Sequence, residues 1–129
     1  MRTIDTNIVA RYIMQDDVVQ GELATAVLTE PCFVSDTVLL ETAWLLSSRY
    51  GMDRAPLAAT LLDLLKLPTI VVSDMQWITW AIERFAAGAD LADMLHIVGA
   101  RDTDSFASFE RRLDRIAGPG APVRIERIA

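Results

Sequence analysis

The stretch Pro31-Cys32-Phe33-Val34-Ser35-Asp36 and the apolar-rich segment that follows it, up to Tyr50, decide the fold class. Pro31 breaks the preceding segment, and the short apolar run 32–35 predicts a buried strand. Asp36 is a good N-cap and Gly51 a good terminator, so we expect a helix over 37–50. A short strand followed directly by a helix is typical of α/β proteins.

The rest of the chain repeats this alternation. Further strands are predicted at 69–72, 105–109 and 123–128, and residues 3–5 are predicted to end a short first strand. Further helices are predicted at 6–14, 18–28, 54–67, 74–87, 90–101 and 110–117, with Asp53 and Ser73 among the caps. We therefore predict an α/β fold in which helices cover both faces of a central, mostly parallel sheet. The 129 residues contain no linker and no repeat, which predicts a single domain over 1–129.

Composition excludes several classes of protein. Apolar residues make up 52% of the chain and charged residues 23%, which is typical of a folded protein. No apolar run approaches the ~20 residues that span a bilayer, and none precedes the first acid, so we expect neither a membrane segment nor a signal peptide. The lone cysteine, Cys32, rules out an internal disulfide and a zinc–cysteine cluster and favours a cytoplasmic location.

The net charge of −6 disfavours nucleic-acid binding when taken alone. Acids at a metal site make net charge misleading, however, because the bound cations are not counted. Arg111, Arg112 and Arg115 lie close together in the sequence, and they either hold phosphates or form a solvated helix face.

Two acids fall at the predicted strand ends of the first half. Asp5 follows the first strand, where it is either a helix cap or a catalytic acid. Glu41 has apolar helical neighbours at Val38, Trp44 and Leu45, so we expect it on an apolar face. Because an unpaired buried carboxylate is costly, Glu41 should reach solvent, pair with a cation or bind a metal.

Three acids in the second half share this ambiguity. Asp90 and Asp93 are three residues apart at the start of a helix, so both carboxylates should point the same way and repel unless a cation bridges them. Both also suit the helix dipole, Asp90 better than Asp93. Glu110 follows the fourth strand, with Asp102 and Asp104 before that strand.

Taken together, these acids favour a metal site. Asp5, Glu41, Asp90 or Asp93, and Glu110 all map to strand ends or adjoining helix turns. The only histidine, His96, cannot build a two-histidine site and is expected to pack or to support a ligand. Carboxylates without histidine or cysteine select Mg²⁺ or Mn²⁺, and such a pocket suits metal-assisted phosphodiester hydrolysis.

The chain also resembles a known family, the PIN-domain proteins, and within it the VapC toxins of bacterial toxin–antitoxin pairs. The resemblance begins with Ile4-Asp5-Thr6-Asn7, Arg11-Tyr12 and Asp16-Asp17. It continues, in order and over nearly the whole chain, through Val38 to Leu46, Arg49-Tyr50-Gly51, Asp90 to His96, and Ser108 to Leu113.

The resemblance implies an α/β/α sandwich and a Mg²⁺- or Mn²⁺-dependent ribonuclease that a VapB-like antitoxin neutralises. It implies Asp5, Glu41 and Asp93 as the core acids, with Asp90 sharing the metal. Glu110 stands where the family most often has aspartate, so it binds the metal either directly or through a water, and Asp104 is its substitute. A homodimer is also expected.

In the mechanism we expect, a metal-activated water hydrolyses an RNA phosphodiester, and Asp5 and Asp93 hold the main ion. One alternative is a binding or dimerisation module with weak or no nuclease activity, for which the apolar helices 54–67 and 74–87, with Trp77 and Trp80, offer surface. Another is a phosphatase-like hydrolase with Asp5 as nucleophile. It is disfavoured because Asn7 stands where that chemistry wants a second acid.

Overall fold

Seven helices and five short strands make up the computed structural model, which describes all 129 residues. The strands are Arg2–Thr3 (β1), Cys32–Phe33 (β2), Ile70–Val71 (β3), Phe106–Ser108 (β4) and Ile125–Arg127 (β5). The helices are Thr6–Met14 (α1), Val18–Val27 (α2), Asp36–Ser48 (α3), Arg54–Leu65 (α4), Met75–Ala86 (α5), Leu91–Gly99 (α6) and Leu113–Ala117 (α7). The chain divides into two units, Met1–Met75 and Gln76–Ala129.

A three-stranded parallel sheet, in the order β1-β2-β3, organises the first unit. The backbone pairing continues one residue past the strands, where Ile4 N–H donates to Phe33 O at 3.0 Å and Val34 N–H donates to Val71 O at 2.9 Å. Ile4, Val34 and Val72 are buried at the ends of the three strands. Because parallel strands share one carboxyl edge, the polar residues that come next, Asp5, Ser35 and Ser73, lie along that edge.

The helices of the first unit each bury one apolar stripe. The stripe of α3 includes Leu39 and Leu46, and that of α4 includes Leu57 and Leu61, all at most 2% exposed. Helix α1 packs against α2 and α3, and α3 packs against α4. These contacts fix the start of α1 and the middle of α3, the two places that carry the candidate acids of this unit.

The second unit combines α5 to α7 with a two-stranded parallel ladder of β4 and β5. Met94, Ile97 and Val98 of α6 are fully buried and form its core. Gly88 ends α5 with a φ of +118°, a conformation that side-chain-bearing residues rarely adopt. Helix α7 packs against β5, so the unit presents the β4–α7 turn beside its small sheet.

Two capping predictions are wrong. Ser35, not Asp36, caps α3, because its hydroxyl accepts from Val38 N–H at 3.2 Å. Asp36 is the first helical residue, and its carboxylate accepts from the Ser73 hydroxyl at 2.7 Å. Helix α5 starts at Met75, so Ser73 lies one position before the N-cap position and does not cap the helix as predicted. Asp53 does stand at the N-cap position of α4, but its side chain makes no cap hydrogen bond.

The expected α/β class with parallel strand pairing is confirmed, although the strands form one three-stranded and one two-stranded sheet. The strands are shorter than predicted, and the last helix starts at Leu113 rather than at Glu110. None of the helices has both the length and the apolar character needed to cross a membrane. A single domain over 1–129 stays a prediction.

Candidate active site

Asp5 lies at the carboxyl edge of the parallel sheet and caps α1. Its Oδ1 accepts from Ile8 N–H at 3.2 Å, and its side chain is exposed. The cap uses one carboxylate oxygen, and Oδ2 has no protein partner. The helix-cap role foreseen for Asp5 is therefore confirmed, while a second oxygen stays free for a ligand.

Glu41 lies beside the same helix end, because its carboxylate accepts a short hydrogen bond from the Thr6 hydroxyl. Thr6 is buried and directly follows Asp5, so this contact brings Glu41 of α3 next to the Asp5 cap. The first unit thus assembles a pair of candidate acids from positions 36 residues apart.

The expectation that Glu41 lies on a buried apolar face is wrong. Glu41 is exposed, and Trp44, one turn further on, is 67% exposed. The buried face of α3 is formed instead by the next positions around the helix, Leu39, Thr42, Ala43 and Leu46. Glu41 therefore reaches solvent, which was one of its three expected outcomes.

The candidate acids of the second unit gather at the start of α6. Asp90 caps this helix, and its Oδ2 accepts from the backbone N–H of Asp93 at 3.0 Å. Partial burial raises the pKa of Asp93, and the neighbouring carboxylates of Asp90 and Glu110 raise it further. His96 opposes this shift. The structure thus places three of the predicted acids within electrostatic range of one another, with His96 nearby.

Glu110 occupies a tight turn between β4 and α7. Its backbone N–H donates to the Ser108 hydroxyl at 3.0 Å, and its Oε1 accepts from Arg112 N–H at 3.3 Å. The side chain is exposed, as are those of Asp102 and Asp104 in the preceding loop. Only Glu110 of these three contributes to the raised pKa of Asp93, which favours it over Asp104 as a member of the acidic set.

The donor chemistry of these acids fits a hard divalent cation. No group of three or more histidine, cysteine, aspartate or glutamate side chains converges to hold a metal by itself. Mg²⁺, however, is usually bound through one or two carboxylates and keeps several waters and substrate phosphates in its remaining positions. The pair Asp5–Glu41 and the pair Asp90–Asp93 each match that mode of binding.

The sequence did not lead us to predict two sets of hydrogen bonds in the first unit. The Thr6 hydroxyl holds Glu41, and only the position of Thr6 directly after Asp5 could have indicated it. The second is a network in which the Arg11 guanidinium pairs with both oxygens of Asp16, at 3.0 and 2.9 Å, and the Tyr50 hydroxyl donates to Asp16 at 2.8 Å. The hydrogen bonds from Tyr50 and Arg11 lower the pKa of Asp16, and the bond from Tyr50 has the larger effect.

A cavity of about 310 Å³ between α1 and α2 opens beside the first acid pair. Asp5 and Asn7 line one part of it, and Leu23, which is 62% exposed, lines another. Of the two helices expected to offer apolar surface, α4 buries Leu57, Leu61, Leu64 and Leu65, whereas α5 buries only Ile78, Ala81 and Ile82 and leaves Trp77 and Trp80 half-buried. Trp77 and Trp80 pack edge to face, with ring centroids 6.1 Å apart.

Comparison with known proteins gives one match and one negative result. A family model described as PIN domain matches residues 3–119, which is most of the chain. No match was found among the curated proteins.

Proposed function

The chain belongs to the PIN-domain family, and on that basis we propose that it is a VapC-type toxin, a Mg²⁺- or Mn²⁺-dependent endoribonuclease. PIN domains are in general metal-dependent nucleases, so nuclease-type hydrolysis of a nucleic acid is the function that the family gives to this chain. The toxin role, the preference for RNA and the identity of the metal are the parts that we propose.

Beside the family match, the carboxylates of Asp90, Asp93 and Glu110 gathered at the start of α6 are the structural observation that supports this proposal. Partial burial of the Asp93 carboxyl and the neighbouring charges of Asp90 and Glu110 make its charged form less favourable in the metal-free protein than in water. A bound divalent cation reverses that penalty. A carboxyl group with a perturbed pKa is typical of a functional site, and a role as metal ligand accounts for its surroundings.

We assign the roles of the acids as follows. Asp5 and Asp93 hold the main ion, Glu41 positions that ion or a second one, and Asp90 shares the site. When bound, the metal lowers the pKa of a water and neutralises charge on the phosphate. The Thr6 hydroxyl orients Glu41, and the cap bond from Asp90 to Asp93 N–H orients the start of α6.

We propose a VapB-like antitoxin as the partner, with the cytoplasm as the place of action. The cavity between α1 and α2 supports a peptide partner, because it is concave and lined by Ile8, Leu23 and Val27. Asp5 at its margin would let an antitoxin arginine pair with the acids and block the site.

The test is metal-dependent RNA cleavage by the purified wild type and by Asp5→Asn. Asparagine caps helices as well as aspartate does, so Asp5→Asn should keep the fold and abolish cleavage, because it removes a charged metal ligand. Asp17→Asn is the matched control, because Asp17 caps α2 through Gln20 N–H at 2.9 Å. Retained cleavage by a folded Asp5→Asn variant would overturn the assignment.

A further inference from the structure

The C-terminal stretch 111–129 is the positively charged part of an otherwise acidic chain. It carries five arginines against two acids, whereas the rest of the chain carries 16 acids against seven basic residues. Within this stretch Arg124 pairs with Glu126 at 3.8 Å. The guanidinium groups of the other four, Arg111, Arg112, Arg115 and Arg127, are exposed and make no ion pair or hydrogen bond.

Phe109, two residues before this stretch, has an exposed aromatic ring. Its side chain is 79% exposed, the same as that of the first residue of the chain, Met1. The turn that carries Phe109 is ordered by the next residue, Glu110. Its backbone N–H donates to the Ser108 hydroxyl, and its side chain accepts from the backbone N–H of Arg112. An aromatic face in solvent beside arginines that make no ion pair is therefore available to a ligand.

The β4–β5 ladder brings a third arginine, Arg127, close to the turn that carries Phe109. Ser108 pairs in register with Arg127 across the β4–β5 ladder, and Ile128 N–H donates to Ser108 O at 2.8 Å. Phe109 directly follows Ser108, so its backbone lies next to that of Arg127 on the neighbouring strand, and Arg111 and Arg112 follow closely in the chain.

We propose that Phe109, with Arg111, Arg112 and Arg127, forms a nucleotide subsite in which one unstacked base lies on the Phe109 ring and the arginines hold the flanking phosphates. Aromatic rings and arginines in this combination bind single strands, since every base offers a π face and every linkage a charge. A base inside a duplex is already stacked and cannot use the ring.

This inference rests on the proposed function, because Glu110 connects the two sites. Glu110, one of the acids proposed for the metal site, lies between Phe109 and Arg111 in the chain and closes the turn that carries them. The subsite would therefore hold a nucleotide near the acids of the second unit, where the cleaved linkage is expected.

The experiment measures binding rather than cleavage. Fluorescence anisotropy of a labelled single-stranded RNA is recorded with the full chain in EDTA, beside a duplex of the same sequence. We expect Phe109→Ala to weaken single-strand binding about tenfold and to leave duplex binding unchanged. Phe109→Trp should restore the affinity, whereas Phe109→Leu, which keeps apolar bulk without a π face, should behave like Phe109→Ala.

The arginines are tested by the salt dependence of the same binding. Each phosphate contact to a single strand contributes about 0.7 to the slope of log K against log salt, so Arg111→Ala with Arg112→Ala should lower the slope by about 1.4. Arg49→Ala is the control, because Arg49 is an exposed arginine at the end of α3, and its removal should leave the slope unchanged.

Wild-type affinity of either Phe109→Ala or Phe109→Leu for the single strand would overturn the subsite. A lower molecular mass of Phe109→Ala in light scattering would also overturn it, because Phe109 would then be a contact between copies of the chain. Failure of the nuclease proposal is distinguishable, because it would show as absent cleavage by the wild type with the binding results intact.

Discussion

At the scale of single residues, the candidate acids have both structural and chemical roles. Asp5 and Asp90 cap helices with one carboxylate oxygen. Glu41 accepts from Thr6, and Glu110 closes a turn. A cap and a metal ligand are compatible roles, because a carboxylate offers about four lone-pair positions and each cap uses one.

Asp93 should make the stability of the metal-free protein depend on pH. Its pKa is raised by folding, so the folded state binds more protons than the unfolded state just above the ordinary aspartate value, and stability falls as pH rises through that window. Asp93→Asn should therefore gain stability at pH 7, by less than about 1 kcal/mol because solvent screens the exposed carboxylate.

Urea unfolding in EDTA at pH 4 and pH 7 measures this effect. The gain of Asp93→Asn over the wild type should shrink towards pH 4, where Asp93 is increasingly protonated in the folded state. Asp53→Asn is the control, because Asp53 caps α4 without a side-chain hydrogen bond. A variant that is less stable than the wild type at pH 7 would contradict the repulsion among the three acids.

Glu110 should assist the metal indirectly. Glu110→Gln keeps an oxygen that can accept from Arg112 N–H and removes only the charge, so the turn should persist. We expect cleavage to fall about 10–100-fold, as for groups that act on a metal through a water, and Glu110→Asp to preserve or improve it. Initial rates of RNA cleavage at saturating Mg²⁺ measure both variants.

Two outcomes would change this role. If Glu110→Gln is as inactive as Asp5→Asn, Glu110 is a direct ligand of the metal. If Glu110→Gln cleaves like the wild type, Glu110 only closes the turn, and Asp104 becomes the next acid to test.

At the scale of elements, the first two helices are held together by polar bonds at their ends. Arg11 of α1 donates to Gln20 of α2 at 2.8 Å and pairs with Asp16 in the connecting turn. Tyr50, just beyond α3, donates to the same Asp16. The network ties the C-terminal ends of α1 and α3 to the start of α2.

Helix α3 contains an unsatisfied buried group. The Thr42 hydroxyl is fully buried and has no hydrogen-bond partner. A buried donor without a partner costs about 1–3 kcal/mol, and valine has nearly the same shape without that cost. Thr42→Val should therefore raise the free energy of unfolding by about 1 kcal/mol and increase Tm by a few degrees.

Thermal unfolding followed by circular dichroism tests this prediction. Thr60→Val is the matched control, because the Thr60 hydroxyl donates to Pro56 O at 2.8 Å and its loss should leave Tm unchanged or slightly lower. A lower Tm for Thr42→Val than for the control would show that the Thr42 hydroxyl is satisfied in solution.

At the scale of the whole molecule, we predict a homodimer that also binds an antitoxin. Trp44 of α3 is 67% exposed, and aromatic residues are enriched at protein interfaces. Light scattering at micromolar concentration should give twice the monomer mass of 14.3 kDa. Trp44→Glu should shift the protein to monomer without loss of helix content.

The variant Leu23→Glu distinguishes the surface proposed for the antitoxin from the surface proposed for the dimer. Leu23 is 62% exposed and lines the cavity between α1 and α2, which we assign to the antitoxin. Leu23→Glu should therefore keep the dimer and lose antitoxin binding by calorimetry. A wild type that is monomeric at micromolar concentration would contradict the dimer.

The sequence by itself determined the features that depend on neighbours along the chain. Helix starts such as Thr6 and Arg54, the break at Pro31 and the stop at Gly51 depend on residues a few positions apart, so capping and turn chemistry predict them. The same local patterns place Asp5 and Asp90 at helix starts. Strand ends were less predictable, because where pairing stops depends on the partner strand.

Only the tertiary structure decided which distant side chains meet. Thr6 reaches Glu41 across 35 positions, Tyr50 reaches Asp16 across 34, and Ser73 reaches Asp36 across 37. The exposure of Glu41 and the effect of Glu110 on the pKa of Asp93 likewise depend on packing. Local patterns cannot encode such contacts, because a hydrogen bond or a charge interaction depends on distance in space, which packing fixes and sequence separation does not.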